Sequence, residues 1–311
     1  MTVSKSKSPD EERAIILQQP TKRPYGARVR VHVQTAASVG RMDGESVPLS
    51  TGAVMTIAPA RQAPWEGGKK YTFSLEGFAT ATAAELAGRQ LTQSLLWTAV
   101  SLNFALRLEY TGYESAAVFE RNRSDGIREE AYCEVGWPKE TVLREMQEAY
   151  GRLAEPDARI LLSMEIFTAA RMEARQRARF LAVVSALEPL ASGEKLGPEA
   201  DAFVGQCMQL LKANATVSRD IRPSLEGRLR HLSEESIRQA LRRVVRTTLP
   251  GRPDAFEIVD RAYDLRSQII HYGRPNDPDV DLELEARAVS GAVRAFYASV
   301  LGRTLVASEA G

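Results

Sequence analysis

The sequence predicts an α+β protein: a small antiparallel β-sheet with one long helix, followed by an all-α helical bundle. Three observations carry that prediction. Ala27 to Gln34 alternates strictly, with Val29, Val31 and Val33 on one face and Arg28, Arg30, His32 and Gln34 on the other, the period-2 pattern of a half-buried strand. From Thr80 to about Phe104 the period changes, because Leu86, Leu91, Leu95, Leu96, Trp97, Val100 and Phe104 recur at helical spacing. Beyond Trp137-Pro138 strand signals almost vanish, and apolar residues keep the helical period to the C-terminus.

Residues 1–24 read as a disordered tail, since Ser, Lys, Pro and Gln bury too little surface to offset the entropy of ordering. Two further strands, Ala53–Ala58 and Lys70–Leu75, flank a Pro/Gly-rich connection ending in Gly67 and Gly68. The pieces LRLEY, SAAVF and AYCEV between 106 and 136 complete an N-terminal α+β domain over residues 25–137, with a charged loop from Glu120 to Glu130. An all-α domain then spans 138–311, with helices expected at 139–153, 157–190, 198–213, 222–231, 234–248, 254–271 and 279–303. The last is expected to start at Asp277 as N-cap, with Pro278 at the first helical position and Asp279 in the first turn.

Composition narrows the function classes. Of 311 residues, 44% are hydrophobic, enough for a substantial core, which excludes global disorder. Lys and Arg number 41 against 40 Asp and Glu, so a polyanionic partner would have to recognise a local patch. Cys133 and Cys207 stand far apart, outside any metal-ligand or CxxC pattern, which argues against a disulfide framework or zinc site and fits a reducing cytoplasm. No cofactor or metal is expected. The N-terminus lacks a signal-peptide core, and Leu91–Leu106 is too short and polar to span a membrane.

The chemistry concentrates in Asp254–Tyr272. At 100° per residue, Ala255, Phe256, Ile258, Val259, Ala262, Tyr263, Leu265, Ile269 and Ile270 fill one arc, with Arg266 near its middle. An Arg stays protonated at any relevant pH, so a buried one needs a carboxylate, a phosphate or another subunit. Glu188 sits inside the core stripe of the helix RFLAVVSALEPLA, which predicts one buried pair, Glu188 with Arg266. His271 follows five residues after Arg266 and points about 140° away on an ideal helix. Convergence then needs unwinding near Gly273 or a second copy of the chain.

Arg266-Ser-Gln-Ile-Ile-His271, in the context YDLRSQIIHYG, resembles the R-x(4 to 6)-H signature of the HEPN superfamily (higher eukaryotes and prokaryotes nucleotide-binding), in which a polar residue commonly follows the Arg. The helices RFLAVVSALEPLA and RLRHL…SIRQALRRVV are similar to those of its ApeA-like branch, and the likeness covers about residues 157–303. It implies a HEPN-like helical bundle and metal-independent RNA cleavage between two protomers. In that reading His271 is the general base or acid, Arg266 holds the scissile phosphate, and Ser267 hydrogen-bonds either group, with Glu188 and Tyr272 in support. The expected products are a 2′,3′-cyclic phosphate and a 5′-hydroxyl. Tyr272 directly follows His271 where the toxins paired with nucleotidyltransferase antitoxins carry H-x-Y, so regulation by tyrosine adenylylation does not carry over.

A second cationic cluster, Arg228, Arg230, His231, Arg238, Arg242, Arg243 and Arg246, is the candidate RNA-binding surface: residues 219–252 hold nine Arg against four acids. The alternative is a solvated face partly paired through Glu234 to Arg238. His32 reads as solvent-facing, and Gly67-Gly68-Lys69-Lys70 as a hairpin turn without P-loop spacing. The resulting reading is a cytoplasmic homodimeric HEPN endoribonuclease, a toxin or antiphage defence effector. Its N-terminal domain would sense a trigger or restrain the nuclease, and its partners would be RNA, a second copy and a protein or nucleotide regulator, with no membrane. The alternatives are a non-catalytic HEPN module serving as a dimerisation scaffold for RNA, nucleotide or protein, and a main activity in the N-terminal domain.

Overall fold

The computed structural model describes residues 24–33, 41–60, 68–109, 116–120, 137–151 and 157–306. The expected tail up to residue 23, Gln34, Gly67, the 121–130 loop, AYCEV and Cys133 lie outside the described residues. The N-terminal part is an antiparallel sheet of β1 (Tyr25–Val33), β2 (Ser46–Pro48), β3 (Val54–Pro59), β4 (Lys69–Phe78), β5 (Leu106–Glu109) and β6 (Ala116–Glu120). The strand order is β2-β3-β4-β1, and β5 and β6 share the remaining edge of β1 end to end. Register follows the valine alternation: Val29 lies between Phe73 and Ala116, and Val31 between Tyr71 and Leu108. All six side chains are buried, as the period-2 pattern requires of one sheet face.

That face is covered by α1 (Ala81–Ser101), which Thr80 caps by accepting from the Ala83 amide. Gly88 permits the close approach, since a Cβ there would lie 2.7 Å from the Ala116 Cβ and 3.0 Å from the Ala27 Cβ. The helix is buried nearly all round because α2 (Lys139–Ala149) and α3 (Ala158–Ala170) pack on it as well. Its buried hydroxyls return to its own backbone: Thr92 donates to Gly88 O at 3.0 Å and Thr98 to Ser94 O at 2.7 Å. Trp97 Nε1 donates to Glu145 Oε1 at 2.7 Å, and Arg294 donates to Val100 O and Ser101 O, each at 2.8 Å. The core therefore runs unbroken from the sheet through α1 into the C-terminal helices.

Those helices continue as α4 (Gln176–Ser185), a 3-10 turn (Glu188–Leu190), α5 (Pro198–Ala213), α6 (Arg222–His231), α7 (Ile237–Thr248), α8 (Pro253–Tyr272) and α9 (Leu282–Val300). The single helix expected over 157–190 is three pieces. No Gly or Pro marks the first break; there Glu173 O accepts from Arg179 Nε and Nη2 at 3.0 and 2.8 Å. At the second, Pro189 has no N–H to continue an α-helix and stands in the 3-10 turn. The start expected at Asp277 is also corrected: Asp281 is the N-cap of α9, accepting from the Glu283 and Leu284 amides, while Asp277 closes a turn at the Asp279 amide. No described helix is long and apolar enough to cross a membrane.

Candidate functional site

Local sequence defines both ends of α8. Pro253 sits in its first turn, Asp254 pairs with Arg252 at 2.6 Å, and Gly273, at φ 76°, closes the other end. The left-handed residue gives the chain its exit, and the Gly273 amide donates to Ile269 O at 2.9 Å. The unwinding considered near Gly273 therefore begins only after Tyr272, and His271 stays helical.

The covered face of α8 consists of Ala255, Val259, Ala262, Leu265 and Ile269. Arg266 projects near the centre of this arc, as expected, but its side chain keeps 23% exposure. Ile270, one turn further on and in line with Arg266, is 55% exposed. Tyr272 is 74% exposed and His271 is also exposed. Going round the helix from Arg266, Ile270 comes after about 40°, Ser267 after about 100° and His271 after about 140°.

Glu188 and Arg266 do meet, with Glu188 Oε1 2.5 Å from Arg266 Nη2. The pair is part-exposed rather than buried, at 30% and 23%. Charge attraction outweighs directional bonding in this contact, since Glu188 Oε1 and Arg266 Nε both lack an aligned hydrogen-bond partner. The guanidinium carbon also lies 5.5 Å from the Tyr263 ring centroid. Glu188 gains its position from the 3-10 turn, and two residues earlier Ala186 O accepts from Ser163 Oγ on α3.

The basic cluster is largely neutralised from within. Asp260 on α8 receives both Arg238 (2.7 and 2.8 Å) and Arg242 (2.6 and 2.9 Å) from α7, and these two guanidiniums hold its carboxyl well below the usual range. The expected Glu234–Arg238 pair is corrected: Arg238 turns to Asp260 and Asp264, while Glu234 lies 3.9 Å from His231. Arg243 pairs with Glu235 and Glu194, each at 2.8 Å, Arg230 lies 3.8 Å from Glu226, and Arg246 stacks 4.2 Å from the Phe256 ring centroid. Arg228 stands in the last turn of α6. His32, expected in solvent, is half-buried, with its Nδ1 3.1 Å from Arg107 Nη2.

The geometry thus brings Arg266 to Glu188 and leaves His271 and Tyr272 accessible on another side of the same two turns. Within one copy, no described contact joins Arg266 to His271. Compared with protein-family models, curated proteins and solved structures, the chain gives no match.

Proposed function

We propose that the protein is a metal-independent endoribonuclease of the HEPN type, acting as a homodimer whose cleft forms on the last two turns of α8. The observation that carries this reading is the run of part-exposed Arg266 and Ser267 with exposed Ile270 and His271 over the last two turns of α8. Ile270 gives a second copy an apolar contact at this end of the helix, and a two-fold axis there would set one protomer's Arg266 beside its partner's His271. His271 then takes the proton of a ribose 2′-OH, the freed 2′-oxygen attacks the adjacent phosphorus, and the 5′-oxygen leaves with a proton returned by an imidazolium. Arg266 holds the phosphoryl oxygens as their charge grows, through the part of its side chain that stays in contact with solvent. The products are a 2′,3′-cyclic phosphate and a 5′-hydroxyl.

The Arg266–Glu188 ion pair favours a second reading, a non-catalytic module in which the same end of α8 only binds a second copy. Incubating the purified chain with total RNA in excess EDTA separates the two. Cleavage to cyclic-phosphate ends, abolished by Arg266→Ala and by His271→Ala with folding and dimerisation intact, is the expected result. RNA left whole, or ends without a cyclic phosphate, overturns the nuclease reading. Ile270→Glu is expected to shift the chain to monomer in sedimentation and to remove cleavage with it.

A further inference from the structure

Away from α8 the described residues enclose a second candidate site, a cavity of about 560 Å³ among the ends of α1 and α3, the start of α4 and one face of α9. Its polar lining is Arg171, Arg179, Arg287 and Arg294 with Asn103, Ser290 and, among the described residues, a lone carboxylate, Glu283. Arg179 and Arg287 share that carboxylate, at 3.2 and 3.4 Å. Arg294, also in the lining, donates Nε and Nη2 to the last carbonyls of α1. Arg171 has only the amide oxygen of Asn103, at 2.5 Å, and its Nε is buried with no partner. Asn103 itself holds φ 58°, unusual for a side-chain-bearing residue, as it presents that oxygen.

Four guanidiniums facing one carboxylate leave three positive charges uncompensated. Burial, followed by the like charges of Arg294 and Arg179, pulls Arg171 below the usual guanidinium range. For Arg171 this is unfavourable, since its guanidinium has given up water for a neutral amide oxygen and no counterion. Arg forks match phosphoryl oxygens in pairs, and the cavity is of the size that takes a small-molecule ligand rather than one ion. We propose that this cavity binds a small anion carrying two or more linked phosphoryl groups, either a free inorganic chain or the phosphate tail of a nucleotide. The ligand would bridge Arg294, which caps α1, to Arg179 and Arg287 at the start of the bundle helices. Its occupancy would then tie the sheet and its helix to the bundle.

The test uses the full chain without divalent metal, titrated with sodium pyrophosphate or adenosine triphosphate at constant ionic strength, read by calorimetry and by thermal unfolding. Saturable binding with a rise in unfolding temperature is expected for at least one probe. Equal affinities identify the phosphate chain as the whole determinant, and preference for the triphosphate assigns the remaining volume to the nucleoside. Arg287→Glu, at the exposed rim, is expected to weaken binding at least about tenfold, the loss of a charge-assisted contact. Arg179→Gln should weaken it similarly, and His271→Ala should leave it unchanged. The proposal is overturned by no saturable binding of either probe at millimolar concentration, by full affinity in Arg287→Glu and Arg179→Gln, or by loss of binding in His271→Ala, which would move the anion to α8.

Discussion

Ser163, Tyr297 and Ala186 form a buried relay whose hydrogens can be assigned, and the assignment fixes unequal costs for two mutations. Ser163 Oγ lies within hydrogen-bond distance of both Ala186 O and the Tyr297 hydroxyl, the latter at 2.6 Å. A carbonyl only accepts, so the single Ser163 hydrogen goes to Ala186 O, and Tyr297 must donate to Ser163. Both side chains are fully buried, and burial pushes the Tyr297 phenol far above its ordinary range, which keeps that proton on it. Ser163→Ala strands the Tyr297 hydroxyl and the Ala186 carbonyl together. At about 1–3 kcal/mol for each stranded buried group, a loss of about 2–4 kcal/mol is expected.

Tyr297→Phe removes a donor while Ser163 keeps its own bond to Ala186, so the expected loss is about 1 kcal/mol. In the double variant no phenol remains to be stranded, and the two effects should fall short of additivity by about 1–2 kcal/mol. Urea unfolding of the four proteins measures all three quantities. Equal costs for the single variants, or additivity within about 0.5 kcal/mol, would refute the assigned direction of donation. The relay also bears on the site, because Ala186 precedes the turn carrying Glu188; Ser163→Ala should loosen the hold on Arg266.

Three further outcomes follow from the same geometry. Asp260→Asn leaves Arg238 and Arg242, one turn apart on α7, without their shared counterion from α8, at an expected cost of about 1–2 kcal/mol after solvent screening, measured by urea unfolding at neutral pH. The Asp260 carboxyl is depressed in the folded state, so its contribution is present above the ordinary carboxylate range and fades as pH falls toward the lower folded value; the variant's stability should therefore decline less below about pH 4 than the parent's. Gly88→Ala should cost about 1–3 kcal/mol through overlap with Ala116 and Ala27, whereas Gly205→Ala in α5, with open space around it, should gain up to about 1 kcal/mol in thermal unfolding. Glu188→Gln should cost about 1 kcal/mol at its part-exposed pair and tighten RNA binding, because a carboxylate that competes with phosphate for Arg266 is gone; unchanged RNA affinity would favour the scaffold reading.

The parts legible in the sequence are those set by period. Alternating Val29, Val31 and Val33 fixed one face of β1, and the switch at Thr80 marked a helix whose cap is Thr80 itself. The Glu188–Arg266 contact was legible as well, because two opposite charges misplaced on apolar stripes have few ways to be satisfied. What sequence could not supply depends on long-range partners. The break after α3 occurs among good helix formers and is set by Arg179 reaching Glu173 O. The start of α9 went to Asp281 because two amides in register outweigh a capping signal four residues earlier. The arginine cavity drew no notice in the sequence: Arg171, Arg179, Arg287 and Arg294 come from three separate segments, and each alone reads as an ordinary surface charge.

The position of Arg266 along α8 carries more than its position around it. A guanidinium in the middle of a fully covered stripe would have to be desolvated, at several kcal/mol, and locked to its counterion. One on the opposite face would be solvated and unremarkable in energy. At the last two turns the cover keeps Leu265 and Ile269 buried but leaves Ile270 exposed, so Arg266, between them around the helix, stays aligned with the core through Tyr263 and Glu188 and still keeps about a quarter of its side chain in contact with solvent. Ile270, one turn further on, is apolar surface more than half exposed in a single copy. Covering Ile270 with a second chain would dry the ground beside Arg266 and strengthen its hold on any anion admitted there. On the proposed dimer the same contact would supply the association energy, so dimer formation and activation of the cation would be one event, and a monomeric variant would lose both together.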